Sequence, residues 1–147
     1  MGDIQVLNDH LIKQMRISEA DLKAVTKREQ AELLRRNARY REGKPFPNLA
    51  NKIVFLVDDG IATGATMKAA LFAVKKMNPK KVICVAPVSP PECVEEIEKI
   101  ADEVIVPLLP ENFNAVGLWY DNFPQTDDSE VLELLKESKK WLPYPEI

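Results

Sequence analysis

Between Lys52 and Pro107 the apolar positions switch back and forth between unbroken runs and helical spacing. Ile53 to Val57 is a run of five apolar residues inside KIVFLVDD, mostly β-branched or aromatic, which predicts a strand over 52–59 buried on both faces. Met67, Ala70, Leu71, Val74 and Met77 then recur on one helical face, and Asn78-Pro79 ends that helix. KVICVAPV, residues 81–88, predicts a second buried strand. Ser89-Pro90-Pro91-Glu92 reads as a helix start with a capping serine, followed by Val94, Ile97 and Ile100 as its apolar face. Glu103 to Pro107 predicts a short third strand. The aromatic segment from Phe113 to Phe123 predicts an edge strand, and Asp127-Asp128-Ser129-Glu130 caps a last helix over 127–142 with Val131, Leu134 and Leu135 inward.

Upstream the signal is thinner. Ile4, Val6 and Leu7 suggest a short strand within a strand-and-linker segment over 1–17. Ser18-Glu19-Ala20-Asp21 resembles a capping box and opens a helix over 18–42, with a sparse stripe of Leu22, Val25, Leu33 and Leu34. Gly43, Pro45 and Pro47 close it, and Pro143 and Pro145 mark a short tail. The succession strand–helix–strand–helix–strand predicts an α/β fold with a parallel sheet and helices on both faces, in a single domain over 1–147. Ligands of such sheets bind at the carboxyl ends of the strands. That rule places Asp58, Asp59 and the loop after them at the expected site.

Composition narrows the function. The chain has 147 residues, 46% of them apolar and 29% charged, enough for a real core and too apolar for general disorder. A net charge of −3 argues against a nucleic-acid surface, and no apolar run approaches the roughly 20 residues of a membrane helix. The first ten residues do not read as a signal peptide, so a cytoplasmic protein with free thiols is expected. Cys84 and Cys93 cannot make a disulfide framework, and the one histidine, His10, cannot make a His-rich metal site. His10 would also have to serve any Ser-His-Asp triad, and no G-x-S-x-G accompanies it. Charge is uneven: residues 21–44 carry eight Lys or Arg and four Asp or Glu, with Arg35, Arg36 and Arg39 clustered on the helix. Arginine forks suit phosphate, so this segment is a candidate source of cations for a pyrophosphate, set against the plainer reading of a solvated helix face.

The chemistry concentrates in VDDGIATGAT, residues 57–66. A strand delivers two carboxylates, and a loop with Gly60, Gly64, Thr63 and Thr66 turns into a helix whose first N–H groups can receive an anion. Carboxylates beside a phosphate cradle make sense if they accept hydrogen bonds from sugar hydroxyls or hold Mg2+. A ligand combining phosphate and ribose meets both halves. The loop is one residue too short for a Walker A motif and has Ala65 where the lysine would stand, and G-x-G-x-x-G is absent.

This loop resembles the phosphoribosyl-diphosphate (PRPP) motif of type I phosphoribosyltransferases, over about 14 residues. Residues 19–135 as a whole are similar to predicted phosphoribosyltransferases of unassigned substrate, through their RREGKP-like, VDDGIATGATM and VGLWYDNF segments. The resemblance implies a Rossmann-like three-layer parallel-sheet fold, N-terminally short, because the family usually has two or more strands and a pyrophosphate-gripping loop ahead of the motif. It implies that Asp58 and Asp59 bind the ribose 2- and 3-hydroxyls, that Ala62, Thr63, Gly64, Ala65 and Thr66 wrap the 5-phosphate, and that Gly60 between them is also substrate-binding. In purine-type members a similar V-G-x-x-x-D stretch lines the base pocket. Here Val116-Gly117 and Asp121 fit that spacing, which implies a role for Asp121 in holding Mg2+ and for Phe113 or Trp119 in stacking on a base. Oxopurine enzymes commonly place an aspartate where Ala62 stands, so the A-T-G-x-T form is closer to the adenine and uracil types. The implied activity is transfer of phosphoribosyl from Mg2+-bound PRPP to a nitrogenous base with release of pyrophosphate, by a homodimer. The alternatives are a non-catalytic module binding PRPP or a nucleotide, and an incomplete subunit of a larger enzyme.

Overall fold

The computed structural model describes residues 12, 15–138 and 140. The strand expected at Ile4, Val6 and Leu7, His10, and the end of the last helix with its proline tail lie outside the described residues. The chain divides into two compact units, one containing Pro47–Asn122 and the other formed by Glu19–Phe46 with the chain from Phe123 onward.

In the first unit, strands β1 (Ile53–Val57), β2 (Lys81–Val85) and β3 (Glu103–Ile105) form a parallel sheet in the order β1-β2-β3. The register sets Phe55 beside Ile83 and Val85 beside Ile105. The α/β class and the parallel sheet are as the order of apolar patterns predicts. The second unit supplies helix α1 (Glu19–Arg41), and helices α2 (Ala65–Lys75) and α3 (Pro91–Glu98) make the crossovers of the sheet. Parallel crossovers are right-handed, and two that step in the same direction put both helices on one face. Met67, Leu71 and Val74 of α2 and Cys93 and Ile97 of α3 accordingly join one core cluster with Val82, Cys84 and Ala86, and Val54, Leu56 and Val104 pack against it. Helices on both faces were expected; of the sheet's two faces, α2 and α3 cover only this one.

That arrangement corrects the reading of β1. It is not buried on both faces: Ile53, Phe55 and Val57 are 54%, 58% and 73% exposed, while Val54 and Leu56 turn inward. The run of five apolar residues hides an alternation, because β1 pairs only with β2 among the described strands. The central strand β2 is the one whose Val82, Ile83 and Cys84 are all buried. Leu71 and Ile97 are fully buried, each contributing on the order of 1.5–3 kcal/mol.

Two local expectations also change. Residues 113–123 do not form an edge strand; Val116–Trp119 is a short 3-10 helix, held by Leu118 and Tyr120 N–H groups donating to Ala115 and Gly117 carbonyls. Ser89 does not cap α3. Its N–H donates to the Leu108 carbonyl at 3.2 Å, extending the β2–β3 pairing, so it is drawn into the core and Pro90 becomes the cap residue. The helix start survives because Pro91 stands where no N–H is needed, and the Cys93 N–H donates to the Pro90 carbonyl.

The second unit pairs α1 with α4 (Asp128–Ser138). Asp127 caps α4 as expected, its carboxylate accepting from the Ser129 and Glu130 N–H groups at 2.7 and 3.0 Å. Leu134 and Leu135 are not inward, nor are Val25, Leu33 and Leu34 of α1; two helices alone cannot enclose a core, and neither contains a buried residue. Polar contacts join the pair instead. Asp128 accepts from Arg35 at 2.7 Å, Arg39 at 3.0 Å and the Tyr40 hydroxyl across the pair, while within α1 Glu32 accepts from Arg35 and Arg36. The arginines read as candidate pyrophosphate ligands are therefore already engaged by carboxylates. Among the described residues no helix is long and apolar enough to cross a membrane.

Candidate functional site

The site is built where β1 stops and α2 begins. The Asp58 N–H still donates to the Val85 carbonyl at 3.1 Å, and the Ile61 N–H donates to the Val88 carbonyl at 2.9 Å. Between these two anchors Asp59 and Gly60 leave the sheet. The Asp59 N–H donates to the Asp58 carboxylate at 3.1 Å, turning that side chain back over the strand end.

The loop then closes on Gly64, whose φ of +70° is left-handed, a conformation glycine adopts readily. Gly64 opens α2, and its carbonyl accepts from the Lys68 N–H at 2.8 Å. The N–H groups of Ala65, Thr66 and Met67 are the first three of the helix, so they have no acceptor within it. The Ala65 N–H has a long contact of 3.4 Å to the Thr63 hydroxyl. A cavity of about 140 Å3 lies over this turn, lined by Asp58 and by residues 60–67. It is smaller than the roughly 300–1,000 Å3 of most small-molecule sites. Its size and its N–H groups suit an anionic group with the first atoms of whatever carries it.

Of the residues singled out in the sequence, the structure brings Asp58, Gly60, Ala62, Thr63, Gly64, Ala65 and Thr66 around this cavity. Asp59 lies next to it but does not line it. Phe113, Trp119 and Asp121 do not line it either. Phe113 and Trp119 stack on each other, with ring centroids 6.4 Å apart and planes 14° from parallel. Asp121 is exposed. Among the described residues no three acids, thiols or imidazoles gather into a metal cage. The two carboxylates at the strand end fit the other mode of Mg2+ binding, in which one or two carboxylates and substrate phosphates share a hydrated ion.

The electrostatics of the acid pair are set by partial burial. Desolvation pushes the Asp58 carboxyl above its ordinary value, the Asp59 N–H opposes the rise, and the Asp59 charge adds to it. The site also depends on contacts the sequence reading left out. Ile61 is buried beneath the loop, and the Cys93 thiol of α3 donates to the Ala62 carbonyl at 3.4 Å. The Tyr120 hydroxyl donates to the Asp59 carbonyl at 2.6 Å. Val116 sits so close to Gly60 that a Cβ there would meet its methyls at 2.5 and 2.8 Å. These contacts join segments far apart in the chain, and no local pattern encodes them.

Comparison with known proteins agrees with this geometry. The family model for the phosphoribosyl transferase domain matches residues 6–121. Two Mycobacterium tuberculosis proteins, provisionally named phosphoribosyl transferases, are 38% identical over 137 residues, which is 93% of this chain. The chain spans 31% of their length. A uracil phosphoribosyltransferase of Ureaplasma urealyticum is 38% identical over 64 residues, 43% of this chain and 31% of that protein. The crystal structure of TT1426 from Thermus thermophilus superposes with a TM-score of 0.70 at 36% identity, covering 90% of this chain and 62% of that one. A match that runs over residues 6–121, most of the chain, makes it a member of the phosphoribosyl transferase domain family.

Proposed function

We propose that this chain binds PRPP at the β1–α2 loop and takes part in phosphoribosyl transfer to a nitrogenous base with release of pyrophosphate. The observation that carries the reading is the left-handed Gly64, which starts α2 so that its first residues and Asp58 line one small cavity. The 5-phosphate would take the N–H groups and hydroxyls of Ala62, Thr63, Gly64, Ala65 and Thr66. Asp58 and Asp59 would accept hydrogen bonds from the ribose 2- and 3-hydroxyls. These groups would orient the sugar and stabilise charge rather than attack it. Bound Mg2+ would neutralise the pyrophosphate, with the strand-end carboxylates, and Asp121 in the complex, as its protein contacts.

The test is calorimetric titration with PRPP and Mg2+, followed by pyrophosphate release with a panel of bases that includes uracil. Binding with base-dependent release is expected, and it should vanish in the double variant Asp58→Asn with Asp59→Asn. Full activity in that variant would refute the assignment.

A second reading is favoured by one observation: Phe113, Trp119 and Asp121 stand outside the cavity. On that reading the chain is a PRPP- or nucleotide-binding module, or a subunit whose transferase activity needs further parts. Tight binding with no release from any base would support it.

A further inference from the structure

Asp59 and Gly60 are the only residues between two sheet-type anchors, Asp58 to Val85 and Ile61 to Val88, and they carry one of the two acids assigned to the sugar. Something other than the sheet must hold them. Two contacts do, and both come from one segment. The Tyr120 hydroxyl donates to the Asp59 carbonyl at 2.6 Å, and the Val116 side chain lies against the bare Cα of Gly60. Val116 opens the 3-10 turn Val116–Trp119 and Tyr120 follows it, so the pair grips the chain at two points one turn apart.

We propose that this clasp sets the direction of the Asp59 carboxylate for a vicinal diol, which makes Tyr120 a positioning residue of the sugar site. A peptide unit is planar, so fixing the Asp59 carbonyl fixes the whole Asp59–Gly60 peptide. The Asp59 N–H is fixed on its other side by the Asp58 carboxylate at 3.1 Å. With both flanking peptide groups held, the Cα–Cβ bond of Asp59 has one direction, although its side chain is exposed. Gly60 is required for a steric reason: any side chain there would push Val116 away and open the clasp.

The inference rests on the sugar role proposed for Asp59, and its test separates the two. The probes are D-ribose 5-phosphate and 2-deoxy-D-ribose 5-phosphate, which differ only in the 2-hydroxyl. The protein should bind the first more tightly. Tyr120→Phe removes one hydroxyl from a side chain already about one-third exposed, and should shrink that preference about fivefold, the worth of a typical hydrogen bond. Affinity for the deoxy sugar should fall less than that for ribose 5-phosphate, because its phosphate contacts are untouched and it offers the acids only the 3-hydroxyl. A variant that keeps the full preference overturns the clasp. An unmodified protein with no preference for ribose overturns the sugar role of the acids instead.

Amide hydrogen exchange then judges the clasp without any ligand: residues 59–61 should exchange faster in Tyr120→Phe, and unchanged exchange overturns it. A second pair of variants gives the steric half. Gly60→Ala should lose the preference, and adding Val116→Ala should restore part of it; no rescue means that Val116 plays no part.

Discussion

The Cys93 thiol donates to the Ala62 carbonyl at 3.4 Å, so the first turn of α3 supports the β1–α2 loop from the core side. Cys93 is 7% exposed, and burial together with Glu92 and Glu96 nearby pushes its thiol upward. Cys84 is fully buried, and desolvation raises it to about 11. Neither thiol should react with a disulfide reagent at neutral pH until the protein is unfolded, since the thiolate is the nucleophile. Timed labelling with and without denaturant checks this. Cys93→Ala should cost about 1 kcal/mol in denaturant unfolding, and Cys93→Ser, which keeps a donor, should bind inorganic phosphate better than Cys93→Ala.

Gly64→Ala should destabilise by about 1–2 kcal/mol, the cost of a left-handed conformation for a residue with a Cβ. The added Cβ would lie 3.1 Å from the Lys68 side chain, whose far end can move, so the strain is in the backbone. Trimming Lys68 to Ala should therefore not rescue the variant. Urea unfolding of the single and double variants is the measurement, and phosphate affinity should fall in parallel.

Ribose binding should weaken with acid sooner than an ordinary aspartate would allow. Asp58 accepts hydroxyl donors best when ionised, and its carboxyl titrates above 3.8 because it is partly desolvated. A raised folded value also means that the folded state holds the proton more tightly than the unfolded chain. The stabilising effect of that proton is full below 3.8 and lost as pH rises through the folded value. Asp58→Asn should thus remove this acid limb from ribose 5-phosphate binding while leaving stability at pH 7 equal or higher. A pH series of titrations and melts would show both.

The helix pair α1–α4 should separate in acid by a different rule. Asp128 is held down to about 2 by Arg35 and then by Tyr40, and Glu32 is held down to about 2 by Arg35 and Arg36. Lowered carboxyls contribute stability that is present above their unfolded values and lost as pH falls through the folded ones. Contacts between the two helices, followed by NMR, should weaken between about pH 4 and 2, and in Asp128→Asn they should already be weak at pH 7. Added salt should act in the same direction because these groups face solvent.

The motif loop was legible because its information is local. A strand, two acids, two glycines and a helix start follow one another within a short stretch, and the structure places most of them around one cavity. The exposure of Phe55 was not legible, since apolar runs look alike whether a strand has one neighbour or two. Ser89 misled for a related reason: its sequence neighbours describe a cap, but the distant Leu108 carbonyl decides where it goes. The aromatic segment around Trp119 had strand-like composition, yet its role is to reach back to Asp59 and Gly60, and such returns leave no periodicity to read.

Because β1, β2 and β3 run parallel, the unit divides its labour between two rims. The chain leaves every strand at the rim that carries Asp58, Ser89 and Leu108, and re-enters at the rim that carries Asn51, Asn78 and Asp102. At this second rim the Asn51 N–H donates to the Asn78 carbonyl and the Asp102 N–H to that of Val82, and none of the residues lining the cavity lies there. The cavity and the second rim are thus spatially uncoupled. A reporter or affinity handle grafted between Asn78 and Lys80 would tax folding alone, and new ligand preferences could be selected at the opposite rim without renegotiating the core.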